Sequence, residues 1–224
     1  MVDYKKQAAK TAFSLIKPGQ IIGLGDGSTV LHLVDLIAAD TVVAASIVLT
    51  SSSVRTMQRM KEVELTVAPL SNLKTVDSYF DGCDQFDSEL NALKSGAGIH
   101  TMEKILAGMA AEFILMGDFG KFSERLTGAH PVVVEIIPAA ISSTILKLEN
   151  IFSGIEWSLR PSLSDRGNYL VDLRFAELPE LSLLDIKIKM LPGVVDHSLF
   201  FLMASKAIIA GPEGVKIIFP LGRD

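Results

Sequence analysis

Apolar residues first recur at helical spacing between Lys5 and Ile16, where Ala8, Ala9, Ala12, Phe13 and Ile16 share one face before Pro18-Gly19 stops the run. Residues 20–24 are apolar and β-branched and predict a strand. It empties into Gly25-Asp26-Gly27-Ser28-Thr29 and a second helical stretch, residues 30–38. Residues 41–49 read as the next strand, ending in Thr50-Ser51-Ser52-Ser53. Val54, Met57 and Met60 then mark a helix, residues 64–68 a short strand, and Val76, Tyr79 and Phe80 a strand that ends at Asp81. Met102, Ile105, Leu106, Met109 and Phe113 place one stripe of a helix toward the core, with Glu103 at the edge of the stripe, and residues 111–116 form a further strand. Alternation of this kind predicts a parallel sheet covered on both faces. Sites in such sheets lie at the carboxyl ends of the strands, so the loop at Asp26, the serines at 51–53 and Asp81 belong to one rim.

From about Gly128 the pattern changes. An apolar run (131–138), a helix (139–148), hairpin-like strands within the stretches 155–160 and 164–175, joined by Asp165-Arg166-Gly167-Asn168, and a helical segment to Met190 predict a smaller α+β unit. The expected division is a catalytic α/β domain of residues 1–127 plus 205–224 and a small domain of residues 128–204.

Composition narrows the function classes. With 224 residues, 49% of them hydrophobic, and a mean hydropathy of +0.38, the chain has enough apolar mass for a sizeable core. A net charge of -5 with scattered Lys and Arg argues against a nucleic-acid surface. No run is long enough for a membrane span and the first residues lack a signal-peptide core, which makes the cytoplasm the expected location. Cys83 is the sole cysteine, and His32, His100, His130 and His197 show no metal-type spacing, so no structural zinc is expected.

The candidate chemistry is concentrated in residues 79–104. Gly82 lets the chain turn so that Asp81 and Asp84 face one space, and Lys94 precedes the small-residue loop Ser95-Gly96-Ala97-Gly98. Glu103 follows in the first turn of a helix. Together these offer carboxylates to move protons, and a cation with backbone amides for an anionic oxygen. The strand, glycine turn and helix at 20–38 point amides at a phosphate. The loop lacks the G-K-[ST] of a Walker loop. Gly23, Gly25 and Gly27 give G-x-G-x-G rather than a dinucleotide fingerprint, and no acid follows the next strand, so a nucleotide cofactor is not expected. Each residue also has a plainer reading: Asp81 and Asp84 as turn formers, Glu103 as an acid meeting a helix dipole, Lys94 and Lys121 as solvated charges.

The order D-G-x-D, then a lysine with a small-residue loop, then E-K, resembles the type A ribose-5-phosphate isomerase family. Where that family reads D-G-A-D-E, K-G-G-G-A and R-E-K, this chain has Asp81-Gly82-Cys83-Asp84-Gln85, Lys94-Ser95-Gly96-Ala97-Gly98 and Met102-Glu103-Lys104. Residues 191–200 and 210–219 also resemble it, and the likeness runs through most of the chain. It implies a Rossmann-like parallel sheet flanked by helices with a small lid or assembly domain, no cofactor or metal, and a homodimer or homotetramer. It further implies reversible conversion of ribose 5-phosphate to ribulose 5-phosphate through an enediolate. Glu103 would be the base, Asp81 would exchange protons with the oxygens, Asp84 would hold hydroxyls and assist ring opening, and Lys94 with the amides of residues 95–97 would stabilise the oxyanion. The family's G-x-G-T-G-S-T loop assigns the phosphate to Asp26, Gly27, Ser28 and Thr29, and its D-x-S-K motif adds Lys121, with Lys5 as a further cation. Gly82, Cys83, Ser95, Gly96 and Ala97 complete the expected substrate contacts.

The chain departs from the family at Asp26 for threonine, Gln85 for glutamate, and Ser95 and Ala97 for glycine. An added carboxylate at Asp26 repels a phosphate unless it points away or is paired with a cation. These departures leave as alternatives a paralogue isomerising another sugar, a non-catalytic sugar phosphate sensor, or a CoA-transferase-like relative sharing only the fold. Cys83 reads as filler, His100 as a helix-entry residue, and Met57, Met60, Met102 and Met109 as core. Trp157 and the Asn168-Tyr169 hairpin read as packing residues.

Overall fold

The computed structural model describes residues 2–222. Asp3 caps helix α1 (Tyr4–Ser14) by accepting from the Lys6 amide at 3.1 Å, and Ala8, Ala9 and Ala12 let the helix lie close on the sheet. Strand β1 (Ile21–Leu24) leads into the glycine loop. A Cβ at Gly25 would meet the Asp81 carboxyl at 1.9 Å, and Gly27 turns into helix α2 (Ser28–Ala39) with φ +104, so both positions need glycine.

Residues 41–49 are not one strand. Residues 41–46 form helix α3 (Thr41–Ser46), because the Asp40 carboxylate accepts from the amides of Val42 and Val43 at 3.2 and 3.0 Å, and this cap outweighs the β-branched preference of Thr41-Val42-Val43. Strand β2 (Val48–Ser51) follows, then helix α4 (Val54–Glu62), capped by Ser53. The short strand expected at 64–68 reduces to a single bridge between Leu49 and Val67, since Glu64 adopts φ +61 and turns the chain.

Strand β3 (Val76–Asp81) ends where the sequence places it, and the short strands β4 (Gln85–Phe86) and β5 (Ala92–Leu93) come next. Helix α5 (His100–Met109) stops before Phe113, which lies on strand β6 (Ala110–Asp118). Its buried residues are His100, Thr101, Glu103, Leu106 and Ala107, while Ile105 is 47% exposed and Met102 and Met109 are half-buried. The apolar stripe is therefore misplaced. Polar side chains turn inward here because each has a partner: Thr101 donates to Glu135, Glu103 pairs with Lys94, and His100 meets the Asp196 carbonyl at 3.4 Å. Of the four methionines read as core, Met60 alone is buried.

Strand β7 (Val132–Ile136), helix α6 (Ile141–Ile151), strands β8 (Glu156–Leu159) and β9 (Tyr169–Arg174), helix α7 (Leu181–Lys189) and strand β10 (Val194–His197) follow. They form an antiparallel sheet in the order β10-β7-β9-β8, with Leu148, Leu184 and Ile188 of the helices packed on Val132, Val134, Ile136, Val171 and Leu173. Strand β11 (Leu199–Phe200) pairs with β5, and strands β12 (Lys206–Gly211) and β13 (Gly214–Ile218) form a hairpin in the main sheet.

That main sheet has the order β13-β12-β6-β3-β1-β2 and is parallel except for β13. Helices α1 and α2 bury Ala8, Ala12, Leu33 and Ile37 on one face against Ile22, Leu24 and Phe80. Leu106 and Ala107 of α5 join Tyr79, Phe113 and Leu115 in the cluster of the other face. The carboxyl ends of β1, β3 and β6 thus meet on one rim. Among the described residues no helix is long and apolar enough to cross a membrane.

Candidate active site

On this rim lies a cleft of about 220 Å³. Its wall holds Lys5, the loop Asp26-Gly27-Ser28-Thr29, Gly82, Cys83 and Asp84, then Lys94, Gly96, Ala97 and Glu103, and finally the end of β6 with Lys121. Residues widely separated in sequence converge because parallel neighbours deliver their strand ends side by side. Two candidates, Asp81 and Ser95, do not form part of the wall.

Asp81 lies behind the cleft, fully buried. Its Oδ1 accepts from the amides of Asp26 and Gly82 at 3.0 and 2.7 Å, and its Oδ2 accepts from the Tyr79 hydroxyl and from Lys94 Nζ at 2.8 Å. Burial, together with the charges of Asp81 and Glu103, pushes the Tyr79 phenol well up, so it stays a donor. Lys94 is no solvated charge: it is 7% exposed, donates to the Gly82 carbonyl at 2.5 Å, and lies 3.4 Å from Glu103. Burial acts to lower its pKa, but Asp81 and Glu103 outweigh burial and raise it, which favours the charged ammonium.

Glu103 is 5% exposed. Burial pushes its carboxyl up to about 8; Lys94 opposes that push, and the charges of Asp81 and Asp26 add to it. A carboxyl at the cleft wall that ionises near neutral pH is suited both to take a proton and to return it.

Asp84 accepts from the amides of Ser95 and Gly96 at 2.6 and 3.0 Å through Oδ2. Two of the three amides expected to serve an oxyanion are thus already engaged, because the acid of the preceding turn reaches them first. The same loop is held from outside. Arg160 donates to the carbonyls of Ser95 and Gly96 at 2.5 and 2.7 Å, and Asp172 braces the guanidinium at 2.6 Å. Arg160→Met is expected to let these peptide planes rotate, lowering kcat roughly 10- to 100-fold with KM changed less than about threefold. Steady-state kinetics on that variant check it, and an unchanged kcat contradicts the clamp.

Several candidates have other duties. Gln85 exchanges hydrogen bonds with Thr127, accepting from its amide at 2.9 Å and donating to its hydroxyl at 3.0 Å, and takes no part in the cleft wall. The Ser95 hydroxyl donates to the Pro131 carbonyl at 2.5 Å. Ser51 donates to the Leu24 carbonyl at 2.6 Å, Ser52 lies 3.3 Å from the Tyr79 hydroxyl, and Ser53 caps α4, so these three rim serines are structural. Burial pushes the Cys83 thiol up to about 12 against the pull of Lys94 and Lys121, which leaves it an unreactive wall group. Trp157 is 40% exposed and donates to Glu149 at 2.8 Å rather than packing in a core. Asp118 was missed by sequence reasoning. It ends β6 beside β3, and the strand-end rule applied to Asp81 applies to it equally. Among the described residues no group of three or more His, Cys, Asp or Glu could hold a metal ion.

Residues 48–214 match the family of ribose 5-phosphate isomerase A (phosphoriboisomerase A). The chain is similar to the ribose-5-phosphate isomerase A of Agrobacterium fabrum, at 33% identity over 223 residues and 96% of each chain. It is also similar to the ribose-5-phosphate isomerase of Homo sapiens, at 33% identity over 221 residues, 94% of this chain and 71% of that one. Among solved structures, ribose 5-phosphate isomerase A from Methanocaldococcus jannaschii superposes with a TM-score of 0.88 at 29% identity, covering 96% of this chain and 97% of that one. A D-ribose-5-phosphate isomerase in complex with phospho-erythronic acid superposes with a TM-score of 0.90 at 30% identity, covering 97% of this chain and 100% of that one.

Proposed function

The chain belongs to the ribose 5-phosphate isomerase A family, and from that premise we propose that Glu103 carries the proton as the enzyme interconverts D-ribose 5-phosphate and D-ribulose 5-phosphate. This is an aldose-ketose isomerisation of the pentose phosphate pathway. The observation that carries the assignment is Glu103 itself: a buried carboxyl with a raised pKa in the cleft wall, 3.4 Å from a fixed cation.

With the sugar open, Glu103 takes the C2 proton. The electron pair left behind forms the C1–C2 double bond of the enediolate with the charge on O1; the O2 hydroxyl proton passes to O1, and as the C2 carbonyl forms the same carboxyl returns the carbon proton to C1. Lys94 supplies the positive charge for the oxygen on which negative charge develops. Asp81 acts through Lys94 and through the amides of residues 26 and 82, fixing both sides of the cleft. Asp84 uses Oδ2 to set the loop, which leaves Oδ1 for substrate hydroxyls and ring opening. The phosphate rests at the start of α2 on Ser28 and Thr29, with Lys5 and Lys121 as counter-charges; a phosphorylated substrate is in keeping with the phospho-erythronic acid held by the related structure. A purely binding sensor has no use for a buried acid tuned in this way. The second sheet fits a smaller unit of residues 128–204. Exposed Trp157 and Leu159 on β8 and Ile186 on α7 support self-association as a homodimer or homotetramer, and the cytoplasm is the proposed location.

In the free enzyme Glu103 ionises near pH 8, so kcat/KM is expected to climb about tenfold per pH unit below that value and to level above it. A pH–rate series checks this. A profile flat from about pH 6 to about pH 8 contradicts Glu103 as the base.

A further inference from the structure

We propose that Arg55 is a positioning residue for substrate binding, one that neutralises the Asp26 carboxylate so that a sugar phosphate dianion can settle beside it. The inference rests on the reading of the cleft as a sugar phosphate site.

Asp26 stands in the cleft wall beside Ser28 and Thr29. Its amide is tied to Asp81 at 3.0 Å, and the preceding Gly25 lies so close to Asp81 that an added Cβ would meet its carboxyl at 1.9 Å, so the loop is anchored on that side chain. The carboxylate therefore remains at the phosphate end. Its Oδ1 is buried and receives no hydrogen bond, a costly state for a charged oxygen. Among the described residues its one ion pair is with Arg55, whose Nη1 lies 3.7 Å from that oxygen.

Arg55 is placed against local preference. It sits in the first turn of α4, where the helix dipole disfavours a cation. Its side chain is 63% exposed and it takes no part in the cleft wall, so neither helix stability nor packing accounts for the placement. Asp26 does account for it. A carboxylate next to a phosphate dianion repels it unless a cation offsets the charge. The phosphate end has Lys5 and Lys121 against Asp26 and Asp118, and Arg55 tips that balance from neutral to positive. The substitution of an acid for the family's threonine thus becomes compatible with a phosphorylated substrate. Because Arg55 is exposed, its effect weakens with salt.

The test measures KM and kcat for ribose 5-phosphate, and the Kd of inorganic phosphate by calorimetry, at low ionic strength. Arg55→Met is expected to raise KM and the phosphate Kd about three- to fivefold with kcat within about twofold, and Arg55→Lys to recover most of the loss. In an Asp26→Thr background the same Arg55→Met change should alter neither constant by more than about 1.5-fold, since no carboxylate is left to offset. Unchanged constants in Arg55→Met, or an equal loss in the Asp26→Thr background, overturn the proposal. A wild-type protein inert toward ribose 5-phosphate would overturn the functional reading instead, and the phosphate Kd series would still decide the role of Arg55.

Discussion

Glu103→Gln is expected to lower kcat for ribose 5-phosphate isomerisation by about 100- to 10,000-fold, the range of a positioned acid–base group, with substrate affinity changed less than about threefold. The amide keeps the shape and the neighbours of the acid but cannot take the C2 proton. The same change removes a liability of the resting protein. In the folded state the Glu103 carboxyl keeps its proton up to about pH 8, whereas in the unfolded chain it ionises near 4.5. Stability from this group is complete below the lower value and is lost as pH rises to the upper one, because over that window the folded state binds the extra proton. The glutamine variant should therefore melt roughly 2–6 °C above the wild type at pH 8.5, with the gap closing toward pH 4.5. Loss of turnover together with gain of stability marks a catalytic acid held in a destabilised state.

Lys94→Met is expected to reduce kcat by about 100- to 1,000-fold through loss of the charge that meets the developing oxyanion. Three further effects separate that role from simple damage. Lys94 opposes the rise of the Glu103 pKa, so its removal should move the rising limb of kcat/KM to higher pH. It also leaves Asp81 buried without its cation, a loss on the order of 3–5 kcal/mol. Pairing the change with Asp81→Asn should restore most of the melting temperature and none of the activity. Recovery of turnover in the double variant would show that Lys94 only balances Asp81.

Local patterns carried the parts of this site that depend on neighbours in sequence. The strand, glycine turn and helix at 21–39, the end of β3 at Asp81, and the small-residue loop after Lys94 were all legible, because each is specified by spacing within a dozen residues. The alternation of strands and helices put Asp26 and Asp81 on one rim before any contact was known. What escaped is long-range. No periodicity says that Lys94 is buried against Asp81, that Arg160 reaches back to the carbonyls of Ser95 and Gly96, or that Arg55 offsets Asp26. Helix α5 was misread for a related reason: hydrophobic spacing assumes that apolar groups point inward, and here His100, Thr101 and Glu103 do so because partners await them. The helix at 41–46 shows the opposite failure, where one capping aspartate outweighed three β-branched residues.

Removal of the C2 proton by Glu103 is tested most directly by isotope labelling. Ribose 5-phosphate deuterated at C2 would be mixed with wild type, Glu103→Gln and Lys94→Met, and loss of the label from C2, whether to C1 or to water, followed by NMR under conditions where all three bind the sugar. Loss with the wild type, a much slower loss with Lys94→Met, and none above background with Glu103→Gln is the expected pattern. Loss by Glu103→Gln at the wild-type rate would place the base elsewhere and contradict the mechanism.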